Sequence, residues 1–532
     1  MTPSNDLFNL IKSLTPPEKK VFKMHFSGKP AYTKVSAEKD VFRTKNTLGS
    51  VAERERIYMA LYNAIDRQKK YNEDVLKKKF QTKLAPGSFH VIKNYLFHLI
   101  LDTLCSYYPG TLPDFTVQQT IEKAKVLNAK LLTNAAWKLI LKAKQAAITN
   151  ELFPEALQAL DIERKIIKVL DTEVYEKLIT DNLTEEKSVI EKHINLTAYI
   201  HLESKLFGMT KTNIVIRNKQ DITFFKKMLK HPLLQDESIA FSFRAKYLFY
   251  YIKSSCCSRV DTKKSYEYTQ KLLAMFESVP MQGFKVIMYI HSLRQMAGIQ
   301  GFLGKLTDAM QSIRKIREIG KSYPQFAKII PHELIFRYSV ISETNLYLSI
   351  PDYETGVTQI PRIEAELKKF GHTLPKYVLY VLYYNITLLY FGTKNHHKAL
   401  QWLNKILNEN KDDYALDLIC GARILFLIIH IELGNDDLLQ HAAQSTFRYL
   451  TTRKRKYKVE SLFLDLLKII LDSDLKKDMP EIYSEMLVHF KEVKTDPYEK
   501  GAFEYFDFIS WVESKIEKRP FVEVVKEKAG RA

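Results

Sequence analysis

Apolar residues recur along most of the chain at spacings of three and four, and short polar joints separate the runs. Between residues 88 and 107 one apolar stripe consists of Phe89, Ile92, Leu96, Leu99, Ile100 and Leu104. An α-helix has 3.6 residues per turn, so these side chains share one helix face. The same pattern predicts helices over residues 52–70 and 73–81, and ELFPEALQALDIERKIIKVL, residues 151–170, predicts another.

The start of one helix is marked with particular clarity in LTPPEKKVFKM, residues 14–24. Thr15 can cap the first turn, and Pro16 suits the first helical position because its fixed φ matches the helix. Glu18 stands three residues after Thr15, which completes a capping box. A helix is therefore predicted to begin at residue 16.

From about residue 117 the chain alternates predicted helices with short joints, and a spacing recurs within them. In each of four sets, a small residue is followed by packing residues four and seven positions later. The sets are Ser265-Thr269-Leu272, Ala309-Ile313-Ile316, Gly356-Ile360-Ile363 and Ala399-Leu403-Ile406. Steps of four and three keep each set on one helix face. A small residue there lets a neighbouring helix approach closely, which predicts repeated helical hairpins. The fifth mark, Leu439, departs from the pattern because it is large.

The segment NITLLYFGTKNHHKALQWLNKILN, residues 385–408, and its flanks resemble the tetratricopeptide repeat family. The packing positions of that family correspond here to Tyr383, Ile386, Tyr390, Ala399 and Leu403. Its turn corresponds to Gly304 in one segment and to Gly434-Asn435 in another. The chain departs from the family at Lys394, His396 and Pro361, and its marks are 40 to 47 residues apart instead of 34. The resemblance implies a right-handed superhelix whose groove binds peptides or helices of other proteins, and it carries over no catalytic residue.

The predicted fold class is all-α, a superhelical solenoid of tetratricopeptide-like hairpins with a basic helical N-terminal domain. Only 17 Gly and 18 Pro occur in 532 residues, too few for the many turns of a β-rich protein. YYPGTLPDF, residues 107–115, breaks the helical pattern and predicts a boundary. We expect an N-terminal domain over 1–110, a solenoid over 117–517, and a charged, frayed C-terminal tail over 518–532.

Positive charge exceeds negative charge by 20, and the excess is uneven. Residues 1–110 hold 19 Lys and Arg against 10 Asp and Glu. Three basic clusters stand out: the first contains Arg67, Lys69, Lys70, Lys77, Lys78, Lys79 and Lys83, the second Lys205, Lys211, Arg217, Lys219, Lys226, Lys227 and Lys230, and the third Arg453, Lys454, Arg455, Lys456 and Lys458. Such charge attracts nucleic acid, anionic lipid or an acidic protein, and it also keeps an aromatic-rich protein in solution.

The helices predicted over 52–70, 73–81 and 88–107 invite a helix-turn-helix interpretation, which implies sequence-specific DNA binding. The joint QTKLAPG is too long for the usual tight turn of that motif. The candidate binding residues for nucleic acid or for an acidic partner are those of the first cluster together with Arg453, Lys454, Arg455 and Lys456 of the third.

Motifs for catalysis are incomplete wherever they begin. His332-Glu333 opens a possible zinc motif, but its fourth following position is Phe336 instead of His. GIQGFLGKL, residues 298–306, has Ile299 and Leu306 where a phosphate-binding loop needs Gly and Ser or Thr, so we expect its glycines to serve close helix contact and a turn. The histidine pairs His193/His201 and His90/His98 are each two turns apart, too far to share a metal without further ligands.

These observations predict a protein that is not an enzyme and holds no cofactor or metal. The four cysteines form no redox or zinc spacing, which suits a reducing compartment. The N-terminus has no secretory pattern, and the longest uncharged run, Tyr377 to Thr393, favours a buried helix over a membrane span. We expect a cytoplasmic adaptor or scaffold that binds a protein partner, with a nucleic-acid-associated helical-repeat protein as the alternative.

Overall fold

The computed structural model describes residues 5–27, 51–82, 84, 88–107, 113–169, 173–212, 216, 218–281, 283–326, 330–371, 373–409, 415–471 and 479–530. Twenty-five α-helices lie within these ranges, and the ranges contain no β-strand. The chain divides into two compact units, Met1–Ala146 and Ala147–Ala532. The predicted break at residues 107–115 therefore falls inside the first unit.

The first unit is a helical bundle with its own apolar core. Its helices are α1 (Asp6–Ser13), α2 (Pro16–Ser27), α3 (Val51–Arg67), α4 (Glu73–Phe80), α5 (Phe89–Tyr107) and α6 (Pro113–Ala129), and α7 (Thr133–Thr149) begins in it. The core is formed by α1 to α5, whose buried side chains include Ile11, Phe22, Leu61, Tyr62, Ile65, Leu96 and Ile100. The predicted helix start is confirmed, since Thr15 N–H donates to Glu18 Oε2 at 2.7 Å and Glu18 N–H lies 3.5 Å from Thr15 Oγ1.

The second unit is a series of helices joined by short connections. They are α8 (Phe153–Ile167), α9 (Tyr175–Thr212), α10 (Lys219–Leu229), α11 (Phe243–Cys257), α12 (Thr262–Glu277), α13 (Gly283–Phe302), α14 (Leu306–Ser322), α15 (His332–Ser349), α16 (Tyr353–Thr358), α17 (Ile360–Phe370), α18 (Lys376–Gly392), α19 (His396–Glu409), α20 (Leu416–Leu433), α21 (Asp436–Thr452), α22 (Lys458–Leu471), α23 (Met479–Thr495), α24 (Phe508–Ile516) and α25 (Phe521–Lys528).

Sequential helices of the second unit pair as hairpins. The pairs α11/α12, α13/α14 and α18/α19 make the most extensive contacts, and the second helix of each pair also packs on the first helix of the next. The predicted fold class, all-α with a solenoid of helical hairpins and a basic helical N-terminal part, is confirmed.

The small residue at the start of each second helix is a packing position. Ser265, Ala309, Gly356 and Ala399 are all buried. Ser265 is held by polar contacts as well, since its hydroxyl donates to the Ser254 carbonyl oxygen at 2.9 Å. The large Leu439 is also fully buried at the equivalent position, so that hairpin uses the same contact with a different side chain.

Pro361 divides one second helix as the sequence predicts. Residues 353–358 form α16 and residues 360–370 form α17, with Pro361 in the first turn of the latter. A buried carboxylate reinforces this region, because Glu343 of α15 accepts from Arg317 of α14 and from Arg362 of α17, each at 2.5 Å.

Two parts of the second unit depart from the expected pattern. The segment before Ser265, in which the sequence analysis marks no repeat spacing, contains α9, a helix of 38 residues. At the other end, residues 521–528 of the predicted frayed tail form α25, which packs against the unit. Phe521 contacts the rings of Phe391 and Phe506 at 5.4 and 5.6 Å between centroids, and Lys526 pairs with Glu354 at 3.1 Å.

Helices of the described ranges include none that is both long enough and apolar enough to cross a membrane.

Candidate binding groove

A groove of about 370 Å³ opens in the second unit between three helices that are neighbours in its N-terminal half. It is lined by α9, α11 and α13 and by Thr262 at the start of α12. The walls combine apolar, hydroxyl and charged side chains, which is the composition of a recognition site more than of a closed core.

The α13 wall carries one continuous stripe. Arg294, Gly298 and Phe302 follow each other at intervals of four residues, so they share one helix face. With a rise of 1.5 Å per residue, Arg294 and Phe302 are about 12 Å apart along the helix. A Cβ added at Gly298 would meet no atom within 4 Å, so the helix backbone is bare in the middle of this wall. The Phe302 side chain is 72% exposed.

The α9 wall faces it with a second exposed ring. Phe207 is 53% exposed, and Leu206 beside it is buried. Glu203 is the carboxylate of this wall, and burial raises its pKa above the ordinary value. Two large exposed phenylalanines in one groove offer apolar contacts to a ligand.

Two arginines meet at one tyrosine next to the groove. The guanidinium carbon of Arg294 lies 5.2 Å from the Tyr338 ring centroid, and that of Arg337 lies 4.5 Å from it. Arg337 Nη2 donates to the Tyr338 hydroxyl at 2.9 Å. Among the residues that the structure describes, neither guanidinium has a carboxylate within the 4.0 Å of an ion pair. The positive charge of this pair is therefore left uncompensated at close range.

The positive charge of the two arginines affects the pKa of His291. Its Nε2 lies 3.3 Å from the Tyr338 hydroxyl, and the two rings meet edge to face. Burial, followed by the positive charges of Arg294 and Arg337, lowers the pKa of His291 to about 4. The imidazole is thus neutral at pH 7, and Arg294 and Arg337 carry the local positive charge.

A third arginine in the groove has a different environment. Arg259 lies two residues after the end of α11, and burial lowers its pKa while the negative charge of Glu504 acts in the opposite direction. Glu504 thus supplies opposite charge to Arg259 from within the same unit.

The first predicted basic cluster lies on the first unit and is largely exposed. Arg67 is the last residue of α3, Lys69 and Lys70 follow it, and Lys77, Lys78 and Lys79 occupy the last turn of α4. Lys77 pairs with Glu73 at 2.9 Å. Cations in a last turn also stabilise the helix itself, so part of the cluster has a structural role. Lys83 lies outside the described residues.

The residues of the third cluster, which lies on the second unit, have different roles. Arg453, Lys454 and Lys456 are exposed around the end of α21, whereas Arg455 is half-buried and pairs with the buried Asp417 at 3.0 Å. Arg455 therefore anchors α20. The positive φ of Lys454, 54°, shows that this residue forms the turn.

The second cluster is exposed where the structure describes it. This applies to Lys205, Lys219, Lys226, Lys227 and Lys230, whereas Arg217 and the side chain of Lys211 lie outside the described part.

The incomplete catalytic motifs of the sequence have structural roles. His332 and Glu333 open α15. Of the glycines, Gly301 lies close to a neighbouring helix, since a Cβ added there would be 3.4 Å from Leu346 Cδ1, and Gly304 forms a turn with φ +71°. Gly298 differs from the expectation of close helix contact, because it faces the open groove. Over the described ranges, no group of three or more His, Cys, Asp or Glu side chains is placed to hold a metal ion. Burial raises the pKa of Cys256 to about 12, so its thiol is not activated.

Sequence reasoning identified neither the groove nor the arginine pair beside it. Arg294, Arg337 and Tyr338 belong to two helices and become neighbours only when α13 and α15 pack together. The sequence contained one signal of the groove. Gly298 lies four residues after Arg294 and four before Phe302, so the three residues share one helix face, and that face has no role in the core.

Comparison with known proteins adds a weak similarity. No family model matches the sequence, and no curated protein matches it. Among solved structures, the crystal structure of the apo form of RapI is similar over 76% of this chain and 99% of that chain, with 15% sequence identity and a TM-score of 0.33. A similarity at this level identifies neither a family nor a function.

Proposed function

We propose that this protein is a non-catalytic, cytoplasmic adaptor that binds a segment of a partner protein in the groove between α9, α11 and α13. The observation that carries the proposal is the combination of two exposed phenylalanines, Phe207 and Phe302, with uncompensated arginine charge in one cavity. Exposed aromatic rings and arginines are the side chains that contribute most to protein interfaces.

The arrangement of the second unit supports this proposal. A helical hairpin buries its small-residue face against its neighbours, as Ser265, Ala309 and Ala399 do here, and leaves the other side of the first helices free for ligands. This organisation is typical of tetratricopeptide repeats, and we assign the second unit to that type of scaffold as part of the proposal.

The groove can be blocked without disturbing the packing. Gly298→Leu projects a side chain into open space within the groove and replaces a helical glycine with a better helix former. Gly320→Leu is the matched control, because Gly320 also lies in a helix, α14, with no atom within 4 Å of an added Cβ.

The test is affinity capture of partners by the full chain from lysate of its own cells, with quantitative mass spectrometry. We expect a protein that is recovered in stoichiometric amount by the parent and by Gly320→Leu and is lost with Gly298→Leu. Equal recovery by all three forms would show that the partner binds elsewhere and would contradict the groove.

Nucleic-acid association is the second candidate function, and the exposed first basic cluster favours it. Arg67, Lys69, Lys70, Lys78 and Lys79 have no carboxylate within ion-pair distance among the described residues. Such a surface binds phosphates through counterion release. Protein purified at low salt would then carry absorbance at 260 nm that high salt removes.

A further inference from the structure

The charge and shape of the groove restrict what can occupy it. Arg294 lines the groove and has Arg337 beside it at the Tyr338 ring, and Phe302 and Phe207 present exposed rings to the same groove. The bare backbone at Gly298 lies between Arg294 and Phe302 on α13. A ligand that satisfies both the charge and the rings carries negative charge on one side and apolar surface on the other.

Resting on the proposed function, we infer that the partner segment is an extended acidic peptide. Its Asp or Glu side chain binds Arg294, the neighbouring charge of Arg337 strengthens that attraction, and a large apolar side chain three or four positions away lies against Phe302 and Phe207. The peptide backbone runs along α13 past Gly298, where no side chain obstructs its approach.

The spacing follows from two geometries. Arg294 and Phe302 are separated by about 12 Å along α13, because eight residues of helix rise 1.5 Å each. An extended chain advances about 3.3 Å per residue, so three or four residues cover the same length.

The arginines account for the preference for a carboxylate. A guanidinium group matches the planar carboxylate with two parallel hydrogen bonds, and stacking on an aromatic ring fixes its plane. Tyr338 supplies that ring for both arginines, and the hydrogen bond from Arg337 to its hydroxyl limits rotation. Glu203 on α9 is the competing negative group in the groove, and its raised pKa reflects how poorly its buried position tolerates charge.

The probe is a phage-displayed library of random nine-residue peptides, selected on the full-length protein. We expect enriched peptides to contain Asp or Glu three or four positions from Phe, Leu, Ile or Trp. Synthetic peptides from the selection are then measured by fluorescence anisotropy against the parent and its variants.

Charge reversal separates recognition from a structural role. Arg294→Glu is expected to weaken acidic peptides by about 10- to 100-fold, which is the range of one hydrogen bond to a charged group. The same variant, selected afresh, is expected to prefer Lys or Arg at the position where the parent prefers Asp or Glu. Arg314→Glu on α14, an exposed position outside the groove, has the same net charge and is expected to leave affinity and selection unchanged.

The alternatives give different results. Selection of apolar peptides without an acidic position, with binding abolished by Gly298→Leu, would overturn the acidic peptide and leave the groove as the adaptor site. Selected peptides that bind Gly298→Leu as well as the parent would overturn the groove itself. Displacement of the acidic peptides by a short single-stranded oligonucleotide with higher affinity, lost in Arg294→Glu, would assign the arginines to a nucleic acid and also overturn the inference.

Discussion

Gly356 of α16 packs so closely against Leu389 of α18 that the contact leaves no room for a Cβ at residue 356. A Cβ built on Gly356 would lie 2.5 Å from Leu389 Cδ2, and Leu389 is fully buried. Gly356→Ala is therefore expected to destabilise the second unit by about 1–3 kcal/mol, because overpacking forces the helices apart. This range is the net effect, because Ala is a better helix former than Gly by about 1 kcal/mol and this gain offsets part of the overpacking cost. Urea unfolding followed by circular dichroism measures the net effect.

Gly320→Ala is the control for this variant. Gly320 lies in α14, and an added Cβ there meets nothing within 4 Å, so the same substitution should be neutral or stabilising by up to about 1 kcal/mol. Equal stabilities of the two variants would show that α16 and α18 are less closely packed than described.

Ala399 tests the repeat spacing at a second hairpin. It is fully buried in an apolar cluster at the start of α19, so Ala399→Arg places a charge among apolar side chains. We expect a loss of several kcal/mol, typical of a buried unpaired charge, and a lower melting temperature.

Gln401→Arg, two residues along the same helix and exposed, is the matched control for Ala399→Arg and should melt like the parent. An Ala399→Arg protein that also melts like the parent would contradict the assignment of this residue to the hairpin core.

The sequence predicts the parts of this fold that depend on local spacing. The capping box at Thr15 and Glu18, the helices of the first unit, and the buried marks at Ser265, Ala309, Gly356 and Ala399 all follow from contacts three, four or seven residues apart. These contacts lie on one helix face and can be read without knowing what packs against it.

The remainder depends on which helices become neighbours. The 38-residue α9 carries little periodic signal, because its surroundings change along its length. Arg455 resembles its exposed neighbours in sequence, yet it pairs with the buried Asp417, which is 38 residues earlier. The arginine pair at Tyr338 likewise requires α13 and α15 to be side by side. The binding interpretation of the basic clusters stays a prediction.

Glu73 provides a pH-dependent contribution in the first unit. Burial favours its neutral form, but hydrogen bonds from Lys93, Lys77 and Tyr71 outweigh burial and lower its pKa from 4.5 to about 2. A carboxyl group with a lowered pKa in the folded state stabilises it above the unfolded pKa, and this contribution is lost as the pH falls from about 5 towards 2. For Glu73 we expect on the order of 2–3 kcal/mol.

Glu73→Gln removes this contribution. The unfolding free energy of the parent should fall more steeply than that of the variant between pH 5 and 2, as measured by urea denaturation at each pH. Asp74→Asn, which changes the neighbouring exposed carboxylate, should retain the slope of the parent. If the parent and Glu73→Gln instead had parallel pH profiles, the ion pair between Glu73 and the nearly buried Lys93 would not be the cause of the pH-dependent stability.

Replacing Lys77, Lys78 and Lys79 by Glu tests what the first basic cluster binds. If it binds phosphates, affinity for a single-stranded or duplex oligonucleotide should fall, and the slope of log affinity against log salt should flatten by about 0.7 or 0.9 for each lost contact. Some stability should be lost too, because the three lysines occupy the last turn of α4 and Lys77 pairs with Glu73. Each unfavourable charge at a helix end costs about 0.3–1 kcal/mol.

A matched variant separates the cluster from net charge, since replacing Arg314, Lys315 and Lys321 of α14 by Glu changes the total by the same amount at exposed positions. Because we favour the adaptor function, we expect negligible nucleic-acid affinity in the parent and both variants, and either an effect of the α4 variant on captured protein partners or no effect. Micromolar or tighter oligonucleotide binding by the parent, weakened by the α4 variant and not by the α14 variant, would instead establish the cluster as a phosphate-binding surface. Loss of a captured protein with the α4 variant alone would place an acidic partner on the first unit, since the groove of the second unit is unchanged in that protein.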